Sequence, residues 1–238
     1  MPPLLLSSPP HPSMPSEYAE EHSSAEHPYL QRVREETARA LPQRAHMMSG
    51  VVQAKFIASL IAMMNAKQVL ELGCFTGYTA LCMAAAVGEE GKVTSLERDC
   101  EVAAIAKNNI EMCPWGKRVE LIQGDALDVL DELTGTRTRE FDLIFLDANK
   151  KQYSTYFTRI MEKELLRVGG VLVVDNTLWK GRVAELYSLS QTERVERNKE
   201  LQRKGVMSLV AADKYAEAMH AFNQLVRGDA RVEVVMLP

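Results

Sequence analysis

Between residues 68 and 175, five short apolar runs alternate with four longer stretches of helical character, and this alternation most constrains what the chain can become. The runs are QVLEL (68–72), KVTSLE (92–97), VELIQG (119–124), FDLIFLD (141–147) and GVLVVD (170–175). Between them lie TALCMAAAV, EVAAIAKNNIEMC, ALDVLDEL and YFTRIMEKELLRV. Short apolar strands separated by helix-length crossovers pair in parallel, with helices covering both faces of the sheet. The expected class is therefore α/β, a doubly wound and mostly parallel sheet.

Residues 28–41 read as a helix stopped by Pro42, and residues 50–65 as a helix apolar nearly all round. A helix of that second kind is buried or lies against another subunit. Seven of the ten prolines fall in the first 28 residues, so residues 1–27 are expected to form a disordered arm ahead of a single domain, 28–238. Residues 184–212, with the charged run QTERVERNKELQRK, read as an exposed variable insert. A helix over 213–227 and a strand, RVEVVML, are expected to close the chain.

With 46% apolar residues a sizeable core is within reach. The net charge of -4, with no Lys/Arg block longer than a pair, argues against nucleic acid as a partner. No apolar run nears the roughly 20 residues of a membrane span, and no basic segment precedes Leu4-Leu5-Leu6. Cys74, Cys82, Cys100 and Cys113 show no metal spacing and read as reduced thiols. A cytoplasmic protein without a membrane partner is the expectation.

Ligands of such sheets bind at the carboxyl ends of the strands, where strand order reverses. The first strand runs into ELGCFTGYT, Glu71 to Thr79. Gly73 and Gly77 permit a tight turn, but the three-glycine spacing of a dinucleotide loop is absent. Glu71 would repel a pyrophosphate and suits a cation. S-adenosylmethionine (SAM) carries a sulfonium and an ammonium and no phosphate. Glu97, ending the second strand, is placed to cap ribose hydroxyls, and Gly124-Asp125-Ala126, ending the third, to flank adenine.

Two further strands each end in a carboxylate, Asp147 and Asp175, the second followed by Asn176. If the strands are neighbours, about 4.8 Å apart, the two acids repel unless a cation lies between them. Two carboxylates and an amide oxygen suit a hard ion such as Mg²⁺, or Mn²⁺ or Ca²⁺ in its place. The simpler alternative makes each Asp a cap of the following turn. Lys150 can reach over the same site as a general base, since a neighbouring cation disfavours its charged form. Lys151 reads as an ordinary solvated lysine.

The segments D-A-N-K-K-Q-Y-x-x-Y from Asp147, L-L-R-V-G-G-V-L-V-V-D-N-T-L-W-K-G-R-V and E-L-G-C-F-T-G-Y-T together resemble the cation-dependent class I O-methyltransferases. That family includes the caffeoyl-CoA and catechol O-methyltransferases, and the similarity covers residues 44–184 and 213–238. The resemblance implies a Rossmann-like methyltransferase fold and metal ligands at Asp147, Asp175 and Asn176. It makes Lys150 the catalytic lysine and puts SAM contacts at Glu71, Gly73, Thr79, Glu97, Ala126 and Asp147. Ser49 contributes from upstream, and Phe75 stands where many other methyltransferases have a middle glycine. Trp179 matches an aromatic near the acceptor pocket.

Asn149 replaces an acid common in relatives, and residues 185–212 are longer than usual. Relatives continue past an L-L-P-like sequence into one more strand, whereas this sequence stops at Pro238. A missing strand would leave an exposed edge. The expected reaction is cation-assisted methyl transfer from SAM to a hydroxyl of a catechol-like small phenol, carried out by a homodimer. The rivals are a nucleotide-dependent oxidoreductase on the same fold and a non-catalytic SAM-binding or regulatory protein.

Overall fold

A computed structural model describes residues 14–133 and 140–237. The five expected strands form one parallel sheet: β1 (Gln68–Leu72), β2 (Lys92–Glu97), β3 (Val119–Gln123), β4 (Phe141–Leu146) and β5 (Leu166–Val174). Their order is β3-β2-β1-β4-β5, reversing between β1 and β4. Ten α-helices surround the sheet in the described residues: α1 (Met14–Glu21), α2 (Pro28–Ala40), α3 (Val51–Met64), α4 (Tyr78–Ala86), α5 (Cys100–Glu111), α6 (Ala126–Glu132), α7 (Tyr153–Glu162), α8 (Arg182–Ser188), α9 (Gln191–Arg203) and α10 (Met207–Arg227).

Because the three inner strands, β1, β2 and β4, are buried on both faces, their alternate residues feed two cores. Val69, Val93, Leu143 and Phe145 point to one side, against Ile57 and Ile61 of α3 and Met83 and Ala84 of α4. Leu70, Leu72, Leu96, Ile144 and Leu146 point to the other, against Leu130 of α6, Phe157 and Ile160 of α7 and Phe222 of α10. Each fully buried Leu, Ile or Phe contributes about 1.5–3 kcal/mol. Cys74, Cys82 and Cys113 are buried free thiols and Cys100 is an exposed one.

Several expectations need correction. Residues 14–21 of the supposed irregular arm are helical, with Pro15 in the first turn, where its missing N–H has no intrahelical partner to lose. Residues 1–13 of that arm lie outside the described residues. A 3₁₀ turn, Ala45–Met47, and α3 together make Ala45–Met64, a 20-residue stretch of mean hydropathy 1.5 that is long and apolar enough to cross a membrane. Its helical part is 14 residues, about 21 Å at 1.5 Å per residue, and Ala54, Ile57 and Ile61 bury one face of it against the protein.

β5 starts at Leu166, four residues earlier than expected, through a register shift between Phe141 and Leu143. The bend at Gly169-Gly170 leaves Val168 wholly exposed. RVEVVML is not a strand: a strand needs a neighbour for its ladder, and Val234 to Leu237 are exposed. The 191–204 run is the exposed helix α9, opened by a capping box of Ser190 and Glu193.

Candidate active site

Parallel pairing sets the strand ends level. Leu72 pairs with both Leu96 and Leu146, and Leu146 pairs with Val174. The residues that follow, Glu97, Gly73, Asp147 and Asp175, therefore stand in one row at the carboxyl edge, across the point where strand order reverses. The Asp147 amide donates to Leu72 O at 2.9 Å and the Asp175 amide to Leu146 O at 3.1 Å, carrying the ladder one residue past each strand.

Gly73 has φ +102°, and a Cβ there would lie 2.1 Å from the Asp147 carbonyl oxygen. Only glycine lets the two loops pass so closely. Glu97 accepts the amides of Phe75 (2.8 Å) and Asp99 (2.9 Å), one on each oxygen, fixing the loop after β1. Arg44 pairs with Asp99 at 2.9 Å and lies 5.8 Å over the Phe75 ring, strapping the segment before α3 across that loop. Ser49, Gly73, Phe75, Thr79 and Asp147 consequently line one cavity, joined by Met47, Met48, Cys74 and Tyr78.

Glu71 and the β3 loop stand apart from this wall. Glu71 is fully buried beneath the loop, its Oε2 bonded by Ser95 Oγ and its Oε1 without a partner. Burial pushes its carboxyl well above the ordinary carboxylate range, the charges of Asp147 and Glu97 add to the rise, and the Ser95 bond opposes it. The Asp125 side chain caps α6 by accepting the Leu127 amide at 2.9 Å, and Ala126 is buried in the first turn of that helix. A wider groove of about 560 Å³ between α2 and α5 contains none of the strand-end residues.

Burial raises the Asp147 carboxyl, Asp175 raises it further, and the Lys150 ammonium, paired with Asp147 Oδ1, pulls it back. Asp175 Oδ1 accepts the Asn176 amide at 2.7 Å. Asn176, Trp179 and Lys180 all have left-handed backbones, as does Gly181. Such conformations cost about 1–2 kcal/mol each outside glycine and gather at functional sites. Asp147, Asp175 and Asn176 offer hard oxygens, one of them on a carboxyl raised by burial and then by its acidic neighbour, and this chemistry fits a hard divalent cation. Among the described residues no three of His, Cys, Asp and Glu gather in this way.

Three contributors emerge only in three dimensions. Tyr153 is fully buried beneath Lys150, whose Nζ lies 5.3 Å from the ring centre, and its hydroxyl donates to Leu146 O at 3.2 Å. Tyr215 of α10 meets Trp179, ring centres 5.1 Å apart, and Lys151 Nζ lies 5.2 Å over the Tyr215 ring. The spacing of Tyr153 from Lys150, one 3₁₀ turn, is the only signal the sequence holds for these; Tyr215 lies 36 residues beyond Trp179.

A sequence model of a family described as O-methyltransferase matches residues 20–238. Caffeoyl-CoA O-methyltransferase of Populus kitakamiensis is 32% identical over 210 residues, covering 88% of this chain and 81% of its own. Tricin synthase 1 of Oryza sativa subsp. japonica is 37% identical over 147 residues, 60% of this chain and 58% of its own. The SAH-bound methyltransferase PaMTH1 of Podospora anserina superposes with a TM-score of 0.78 at 26% identity, covering 95% and 90% of the two chains. The O-methyltransferase of Bacillus cereus, in complex with SAH, does so with a TM-score of 0.72 at 26% identity, covering 91% and 86%. A five-stranded parallel sheet of this order, with its strand-end acids in one row and a family match over all but the first residues, leads to one conclusion: the chain belongs to the O-methyltransferase family.

Proposed function

We propose that the chain transfers a methyl group from SAM to one hydroxyl of a catechol-like small phenol with the help of a divalent cation. The observation that carries this reading is the level row of strand ends, which sets Asp147, Asp175, Asn176 and Lys150 beside the Gly73–Phe75 loop and Glu97. SAM supplies the electrophilic methyl, and a bound cation such as Mg²⁺ supplies Lewis acidity toward two adjacent acceptor oxygens.

The chain's own residues do the rest. Glu97 keeps two lone-pair positions free after accepting two amides, enough for a pair of ribose hydroxyls. Glu71, with one buried oxygen unpartnered, lowers the cost of a cationic group held above it. Asp147, Asp175 and Asn176 hold the cation through oxygen. Lys150, seated between Asp147 and the Tyr153 ring, takes the phenolic proton on the lone pair of Nζ when it stands as the neutral amine. Trp179 forms a wall against which a planar acceptor rests. The cavity of the first loop encloses about 10 Å³, room for one water, so SAM enters as Met47, Met48 and Ser49 move aside.

The test is a methyl-transfer assay on a panel of catechols with Mg²⁺ and with EDTA, run beside a titration of SAM. Asp175→Ala is expected to abolish turnover while SAM affinity stays within about twofold. Lys150→Ala is expected to lower kcat by about 10² or more. Full activity in Asp175→Ala, or turnover that survives EDTA, sinks the cation assignment. SAM binding with no turnover on any diol would favour a binding protein on this fold. We further propose that two copies pair through the exposed face of α3, where Val52, Phe56 and Met63 are uncovered apolar groups.

A further inference from the structure

We infer that Lys151 selects acceptors whose aromatic ring carries a carboxylate, an inference that rests on the proposed diol methyltransferase reading. The adjacent lysines Lys150 and Lys151 are sent to different tasks. Lys150 is half-buried and paired with Asp147. Lys151 is exposed, and its amide is held by Asn149 Oδ1 at 3.3 Å. Its ammonium lies 5.2 Å over the Tyr215 ring, and Tyr215 in turn meets Trp179 at 5.1 Å with ring planes 32° apart.

This group of three borders the proposed acceptor site on two sides. Lys151 follows the proposed base directly in the chain, and the Trp179 amide bonds to the carbonyl of Asn176 at 2.8 Å. A planar acceptor chelated at the strand ends and laid against Trp179 would therefore carry its far substituent past Lys151.

Among the described residues no carboxylate lies within ion-pair distance of Lys151. The buried acid of the neighbouring helix, Asp213, is already shared between Arg182 (2.7 Å) and Arg197 (3.3 Å). Lys180 and Lys214, exposed on the segments that carry Trp179 and Tyr215, add charge of the same sign. A cation over one aromatic face, beside a second ring, favours a flat partner with an anionic end. A ring-conjugated carboxylate keeps the acceptor flat; a tetrahedral phosphate does not.

The experiment titrates 3,4-dihydroxybenzoate and catechol separately into protein loaded with S-adenosylhomocysteine and Mg²⁺, and follows the ratio of their affinities. The wild type is expected to prefer the benzoate by about fivefold, what a partly exposed ion pair yields. In Lys151→Gln the ratio should fall to about one, and Lys151→Arg should restore it. A Lys151→Gln ratio equal to that of the wild type overturns the inference, and so does a wild type with no preference. Methyl transfer to catechol, measured in parallel, separates the two readings. Turnover without a Lys151-dependent ratio overturns this inference alone, whereas neither binding nor turnover of either diol overturns both.

Discussion

At Glu71 a carboxyl group is folded out of all contact with solvent, one oxygen bonded to Ser95 and the other facing no polar partner. Its pKa is raised in the folded state, so between the ordinary value of 4.5 and that raised value the folded chain holds a proton that the unfolded chain has lost. Stability therefore falls as pH rises through this window. Glu71→Gln removes the dependence, because an amide does not ionise. The melting temperature of the variant should match the wild type near pH 4.5 and exceed it by about 3 °C or more at neutral pH. Its SAM affinity should drop, since the buried acid then cannot balance a cation. A pH-independent gap, or a wild type that is the more stable at neutral pH, would contradict this account. On the proposed reading, Glu71 gives up stability in the protein alone for charge complementarity once SAM is bound.

Among the elements, the helices α8, α9 and α10 are joined through one acid. Asp213 of α10, only 7% exposed, takes Arg182 of α8 and Arg197 of α9. Asp213→Ala removes the buried acid that both guanidiniums share, leaves them only the exposed Glu185, and is expected to cost about 3 kcal/mol. Thermal melting should then start about 6–12 °C lower; a shift under 2 °C would show that the network carries no weight. The sequence announces the five strands of the sheet because each is a short, mostly apolar run set off by helix-length crossovers, and in FDLIFL the burial of an inner strand leaves the run nearly unbroken. Asp147 and Asp175 are legible for the same reason, since parallel neighbours end level. Lys151 and Tyr215 are not legible as partners, because their contact depends on how α10 docks and no local pattern records it. RVEVVML reads as a strand by composition, yet composition cannot say whether a neighbouring strand is there to pair with it. Residues 14–21 mislead in the opposite sense, since one proline in a first turn does not prevent a helix.

Across the whole molecule, exposed apolar groups are scattered, with three on α3 (Val52, Phe56 and Met63) and a run of four from Val234 to Leu237. If copies pair through α3, Phe56→Asp should convert a dimer to a monomer in sedimentation equilibrium while the melting temperature stays within a few degrees, because Phe56 is 46% exposed. A dimer that survives the change would move the interface elsewhere. The helix α9 invites a different thought. None of its residues is buried, and among the described residues its side-chain ties to the rest run through two arginines: Arg197 to Asp213 and Glu185, and Arg194 over Tyr187. The segment from Ser190 to Lys204 can therefore mutate, lengthen or be exchanged between paralogues as a cassette while the sheet and its row of strand-end acids stay as they are, and a lineage keeping those few polar anchors could remodel this surface without first rebuilding the sheet beneath it.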